Sequence, residues 1–254
     1  MKKIKYYYFG PQCYGYKYMG LGAKGLAKRL GYEYQEIDMT NNDNIPNDLY
    51  LPGNIVVDDF TIVYPGSIDQ LEQVYKTKKP IKGGSPYIKK EVAKTACIKP
   101  INENIEDGSS ICLPEKVDSC EKLSWYKNFA KNTFNNFGYI AYHNEKAVAA
   151  LEFLRQDFIP YKCVKKNKDA LFITCVYNNP AIDKDYRYLL IAKLKQFAKE
   201  KGFSKISVIS GLKEPYPNGP NHLFEDLGFK EVKQVGSHLL KYDTDKAFLM
   251  EYYI

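Results

Sequence analysis

DALFITCVYNNPAIDKDYRYLLIAKLKQFAKEKGF, residues 169–203, is the stretch whose reading decides the fold. Its first part, residues 170–177, is an apolar run rich in β-branched and aromatic residues, short enough to be a strand covered on both faces. Asn178, Asn179 and Pro180 break that run. Apolar residues then return at Leu190, Ile191, Leu194, Phe197 and Ala198, spacings of three and four that gather them on one helical face. Gly202 ends the helix, since glycine takes the left-handed backbone past a helix end without steric cost. With a further strand over 204–209, the stretch predicts a βαβ unit whose first loop aims backbone N–H groups beyond the strand tip.

Working outward, Gly138 to Tyr142 and Val148 to Leu154 flank the turn sequence His143-Asn144-Glu145-Lys146 and predict a hairpin. Before it, helix signals begin at Asp118-Ser119-Cys120-Glu121, with Leu123, Tyr126, Phe129, Ala130 and Phe134 along one face and Trp125 at its edge. A strand is expected over 93–98. Beyond the βαβ unit come Asn218-Gly219-Pro220, the segment HLFEDLGF over 222–229, and closing strands over 230–235 and 247–253.

This succession, over residues 93–254, resembles the GNAT acetyltransferase family. The resemblance implies a mixed central sheet flanked by helices, acetyl-CoA (coenzyme A) as cofactor, and N-acetyl transfer to a small-molecule or peptide amine. It implies that the pyrophosphate loop, Arg/Gln-x-x-Gly-x-Gly/Ala, falls on Ile182, Asp183, Lys184, Asp185, Tyr186 and Arg187, where none of its glycines is present. Asp183 and Asp185 would stand near a diphosphate at a helix N-terminus, where carboxylates stabilise a free helix but repel an anion. The carbonyl-polarising donor of the family is a backbone N–H of the fourth strand, here Cys175, Val176 or Tyr177. The family's acid, a tyrosine four residues before the glycine, falls on Phe224, which cannot donate a proton; His222 is the substitute, or else a surface residue. The candidate base is Glu152, set in the apolar run AALEFL, where burial would raise its pKa; simple alternation would instead turn it to solvent. Arg155, Lys184 and Arg187 are candidate phosphate contacts or plain surface cations.

The N-terminal order is different in kind. A strand over 4–9, the turn Gly10-Pro11-Gln12-Cys13, a helix over 16–30 closed by Gly31, a strand over 34–37, strands over 54–58 and 60–64, and a helix capped by Ser67 give βαβ, hairpin, helix. With a cysteine where first strand meets first helix, residues 1–78 resemble a small thioredoxin-like domain. A helix N-terminus lowers a thiol pKa, so Cys13 is a candidate reactive thiol, but Gly10 and Tyr16 stand where a second cysteine would be. Pro46 and Pro52 lie roughly where such domains keep a proline beside the thiol. The expected organisation is a thioredoxin-like domain over 1–78, a lysine-rich connector over 79–92 and the GNAT-like domain over 93–254. The connector is a solvated linker or a contact for the CoA 3′-phosphate.

Composition narrows the partners. At 254 residues and 44% apolar the chain can build two ordinary cores. A net charge of +7 suits a polyanionic ligand such as CoA, or simple solubility. The 23 tyrosines come without arginine- or glycine-rich tracts, so no nucleic acid is expected. No membrane is expected either, for neither a signal peptide nor a spanning segment is legible, and the expected location is cytoplasmic. Six scattered cysteines match no metal or disulfide framework and read as reduced thiols. Three readings stay open: an N-acetyltransferase, with a homodimer as candidate assembly; a binding or regulatory protein keeping the fold without catalysis; and a thiol-dependent activity at Cys13.

Overall fold

Two units organise the chain: Met1–Pro86 with Pro160–Cys163 and Val235–Ala247, and Tyr87–Ile159 with Val164–Gln234 and Phe248–Ile254. The sequence predicts a second domain over 93–254. The structure, a computed structural model, describes residues 2–63, 66–81, 89–102, 111–112, 120–129, 135–212, 217–239 and 244–254.

In the first unit, β1 (Lys3–Tyr8), α1 (Tyr16–Leu30), β2 (Glu33–Asp38), β3 (Gly53–Val57), β4 (Phe60–Ile62) and α2 (Ile68–Thr77) follow in order. The sheet runs β2-β1-β3-β4, with β2 parallel to β1 and β3 antiparallel to both β1 and β4. Ile4, Tyr6, Met19, Leu26, Ile55, Val57, Leu71 and Val74 meet in its core, which fixes the face each helix presents. Gly31, at φ 68°, closes α1. Ser67 and Gln70 form a reciprocal capping box that starts α2, each side chain bonding the other's backbone N–H. Pro52 sits directly ahead of β3, closer than the sequence suggested, and its carbonyl accepts the Phe9 N–H at 3.0 Å. Tyr64, expected to end β4, lies outside the described residues, as do 82–88 of the connector.

The second unit contains β5 (Glu91–Val92), β6 (Cys97–Pro100), α3 (Cys120–Phe129), β7 (Gly138–His143), β8 (Lys146–Arg155), β9 (Ala170–Asn178), β10 (Lys184–Asp185), α4 (Arg187–Glu200), β11 (Lys205–Gly211) and α5 (Asn221–Glu225). β12 (Lys230–Leu239) and β13 (Thr244–Tyr253) complete a mixed seven-stranded sheet in the order β12-β13-β11-β9-β8-β7-β6. Asn144 and Glu145 both adopt positive φ, 49° and 62°, the tight hairpin turn that matches strand twist. Leu190, Ile191, Leu194 and Ala198 of α4 are fully buried against Leu151, Phe153, Leu171, Ile173, Ile206 and Val208. The helical spacing read from sequence is therefore the packing stripe.

One expected strand is mostly not a strand: of residues 93–98 only Cys97 and Ile98 belong to one, β6, while β5 ends just before Ala93. β5 pairs in parallel with β10, and β6 joins the large sheet beside β7. The Ala93 N–H donates to the Asp185 carbonyl at 3.0 Å, and the chain bends at Lys94 before re-entering a sheet. Apolar alternation does not reveal which sheet edge a short extended run will choose. Asp118, Ser119, Ala130 and Phe134 lie outside the described residues.

Candidate functional site

The parallel strands β9 and β11 pair for four residues, Ala170 to Ile173 against Lys205 to Val208. Both strands continue, β9 to Asn178 and β11 to Gly211, but their registered pairing stops there. The cause is visible on the opposite edge of β9. Glu152 of β8 faces Cys175 and Phe153 faces Ile173, so Thr174 is an extra residue in β9. Such a bulge bends and over-twists its strand, here at the point where β9 leaves β11. Ile173 and Val176, three apart instead of two, both reach the α4-side core as a result.

A side-chain carboxamide spans the gap. Asn218 is 5% exposed; its Oδ1 accepts the Val176 N–H at 3.2 Å and its Nδ2 donates to the Ile209 carbonyl at 2.9 Å. Of the three candidate donors, Val176 is thus the one whose N–H is aimed between the strands. Cys175 and Tyr177 are half-buried neighbours. Gly219, at φ 116°, holds Asn218 in place, and its N–H-to-carbonyl partner is Gly211, which donates to the Gly219 oxygen at 3.1 Å.

The segment 182–187 at the head of α4 is stapled to itself. The Asp185 carboxylate accepts from the Arg187 N–H at 3.0 Å and from the Arg187 guanidinium at 2.6 Å, and both side chains are buried. Asn178 Oδ1 accepts the Tyr186 N–H at 2.8 Å, and its Nδ2 donates to the Lys184 carbonyl at 3.0 Å. The Lys90 ammonium donates to the carbonyls of Pro180, at 2.7 Å, and Ile182. Asp185 therefore carries its own counter-charge, while Asp183 and Lys184 are exposed, Ile182 is half-buried and Tyr186 is in the core.

On the sheet face away from α4, Glu152 is 2% exposed. It does not turn to solvent. Its Oε1 accepts from the Lys122 ammonium at 2.6 Å and its Oε2 from the Tyr126 hydroxyl at 2.8 Å, both partners one turn apart on α3 and both buried. Burial raises the Tyr126 pKa well above its ordinary value, the adjacent Glu152 charge adds to the rise, and the neighbouring Thr174 opposes it. The cluster thereby touches the bulged residue itself. Tyr126 also stacks on Phe137 at 4.8 Å, which fixes its ring.

His222 is half-buried on α5, its carbonyl accepting the Asp226 N–H at 2.9 Å. Phe224 is fully buried, edge-on to Phe229 at 5.5 Å. Arg155 holds Asp157 in a two-point ion pair at 2.6 and 2.9 Å. Lys122, Tyr126 and Asn218 were not singled out as site residues from the sequence. A lysine within an amphipathic helix reads as surface, and an Asn-Gly-Pro triplet reads as a turn. Cys13 is half-buried in the turn before α1. Among the described residues no helix is long and apolar enough to cross a membrane.

No family model matches the chain, and no curated protein matches it. Among solved structures, similar chains include an N-acetyltransferase from Staphylococcus aureus Mu50, 16% identical over 63% of this chain and 99% of that one, with a TM-score of 0.45. A GNAT-family acetyltransferase from Streptococcus pneumoniae is 13% identical over 63% and 99%, at 0.45. YncA from Salmonella typhimurium, in a structure with acetyl-CoA, is 15% identical over 63% and 94%, at 0.46.

Proposed function

We propose that the second unit is a GNAT-type N-acyltransferase using acetyl-CoA, with a small-molecule or peptide amine as acceptor. The observation that carries this reading is the gap between β9 and β11, with the Val176 N–H on one wall and the Ile209 carbonyl on the other. A carboxamide already satisfies both, so the gap is complementary to an amide, and a pantetheine arm carries two amides along its length. The head of α4 fits less simply: its first amides are taken by Asp185 and Asn178, the Arg187 guanidinium is held by Asp185, and the diphosphate would rest on the Lys90 and Lys184 cations.

When bound, acetyl-CoA supplies the thioester carbonyl and the thiolate leaving group. The chain's own residues do the rest. Val176 presents a fixed backbone donor to the developing oxyanion, released once the Asn218 carboxamide withdraws. Glu152, anchored by Tyr126, stands on the strand facing Cys175 and is the carboxylate available to take a proton from an amine. Phe224 keeps water out and donates nothing.

A second reading is favoured by Asn218: a gap bridged by the protein's own side chain also suits a binding or regulatory protein that keeps this fold without catalysis. For the first unit, the strand order β2-β1-β3-β4 with β3 antiparallel to its neighbours supports the thioredoxin-like reading. Titration calorimetry of the whole chain with acetyl-CoA tests the transferase reading. Sub-millimolar affinity upholds it; no heat at millimolar ligand overturns it.

A further inference from the structure

The buried cation on Glu152 has no role in the function proposed above, and its position is informative. Lys122 is 2% exposed, and its Nζ lies 2.6 Å from Glu152 Oε1, within the range over which a general base takes a proton. The other carboxylate oxygen is held by Tyr126 at 2.8 Å, so the base is oriented with a primary alkylammonium already seated on it. Glu152 directly faces Cys175, the residue before Val176, so carboxylate and oxyanion donor belong to adjacent strands at one point of the sheet. An acceptor amine in this class of site must meet the same requirements: an alkylammonium, a carboxylate to deprotonate it, and a nearby polarised carbonyl.

We infer that Lys122 is the chain's own acceptor, acylated in cis by acyl-CoA before any external amine. The inference rests on the acyl-transfer reading. Glu152 takes one proton from the Lys122 ammonium, and the freed Nζ attacks the thioester carbonyl carbon. A C–N bond forms, the C–S bond breaks with its electron pair leaving on the CoA sulfur, and the second nitrogen proton goes to that thiolate. The products are Nζ-acetyl-Lys122, CoA-SH and a proton passed from Glu152 to water. Acylation removes the positive charge, so Glu152 loses its ion pair and keeps only Tyr126, which leaves the carboxylate open to an incoming amine.

The test is site-resolved acylation of the wild-type chain. Purified protein is incubated with acetyl-CoA and every lysine is quantified by peptide mass mapping over time. In parallel, a pulse of an acyl N-hydroxysuccinimide ester reads solvent access alone. Lys122 should be among the last lysines labelled by the ester and the first by acetyl-CoA, ahead of surface lysines by at least about tenfold, because intramolecular positioning replaces a bimolecular encounter. The Lys122→Arg chain should lose that early label and keep the slow surface ones. Lys122 unmodified while calorimetry records acetyl-CoA binding overturns this inference and leaves the transferase reading standing. No binding at millimolar acetyl-CoA overturns both.

Discussion

Replacing Glu152 by Gln keeps the side chain's shape and its bond from Tyr126 but removes the carboxylate charge 2.6 Å from the Lys122 ammonium, which is 2% exposed. Breaking a buried pair from one side costs about 3–5 kcal/mol, far more than the net worth of the pair, because the surviving charge stays desolvated. For a unit of this size each kcal/mol moves the thermal midpoint by about 2–4 °C, so the expected drop is about 6–20 °C. The reporter is built in. The chain has one tryptophan, Trp125, whose ring lies 5.0 Å from that of Tyr126 and 5.1 Å from that of Phe129 on the same helix. Urea unfolding followed by its fluorescence reads the α3 environment directly. Removing the cation as well, as Lys122→Met with Glu152→Gln, should recover most of the loss, since no buried charge is left and the carboxamide oxygen still accepts from Tyr126. A Glu152→Gln chain within about 0.5 kcal/mol of wild type, the scatter of ordinary surface changes, refutes the reasoning and means that water reaches the pair.

Three further outcomes follow from the same geometry. Asn218→Ala leaves the Val176 N–H and Ile209 carbonyl without their carboxamide; the free chain should lose about 1–3 kcal/mol in urea unfolding while acetyl-CoA binds more tightly by calorimetry. Gly219→Ala should cost about 1–3 kcal/mol by thermal unfolding, for a Cβ at φ 116° would lie 2.9 Å from Arg187 Nη1 and 3.0 Å from Leu223 Cδ2. Burial pushes the Glu251 carboxyl up, but Lys205, Tyr253 and Ser207 together hold it below its ordinary 4.5; its contribution is thus present above pH 4.5 and lost as pH falls through the lower folded value. Urea midpoints measured below pH 4.5 should fall more steeply in wild type than in Glu251→Gln.

Periodicity carried most of the fold. The α1 boundaries, the Gly31 and Gly202 helix ends, the Ser67 cap and the βαβ unit were legible because each depends on local backbone chemistry or a single packing stripe. The short β5 ahead of the expected strand and the late start of β6 at Cys97 were not, because edge pairing depends on which partner strand arrives, and β10 arises within a loop. The candidate site shows the same split. Cys175, Val176 and Tyr177 were candidates only through the family resemblance, whereas the residue that spans the gap, Asn218, sits 42 positions away from Val176 and looks like turn material. Lys122 was hidden for a related reason: its burial follows from Glu152, 30 residues on, and an isolated lysine carries no mark of its partner. Asp185 read as a repulsive charge until Arg187, two residues later, folded back upon it.

Under the proposed function an acyl-pantetheine arm would lie between β9 and β11 with its carbonyl at the Val176 amide. Amide 1H–15N shift mapping of the whole chain during an acetyl-CoA titration addresses it residue by residue. Saturable shifts are expected at Cys175, Val176, Tyr177 and Ile209 and at the Asn218 side-chain amide, which gives up both of its bonds. Saturable shifts confined to other parts of the chain, with Val176 and Asn218 unmoved, would contradict it.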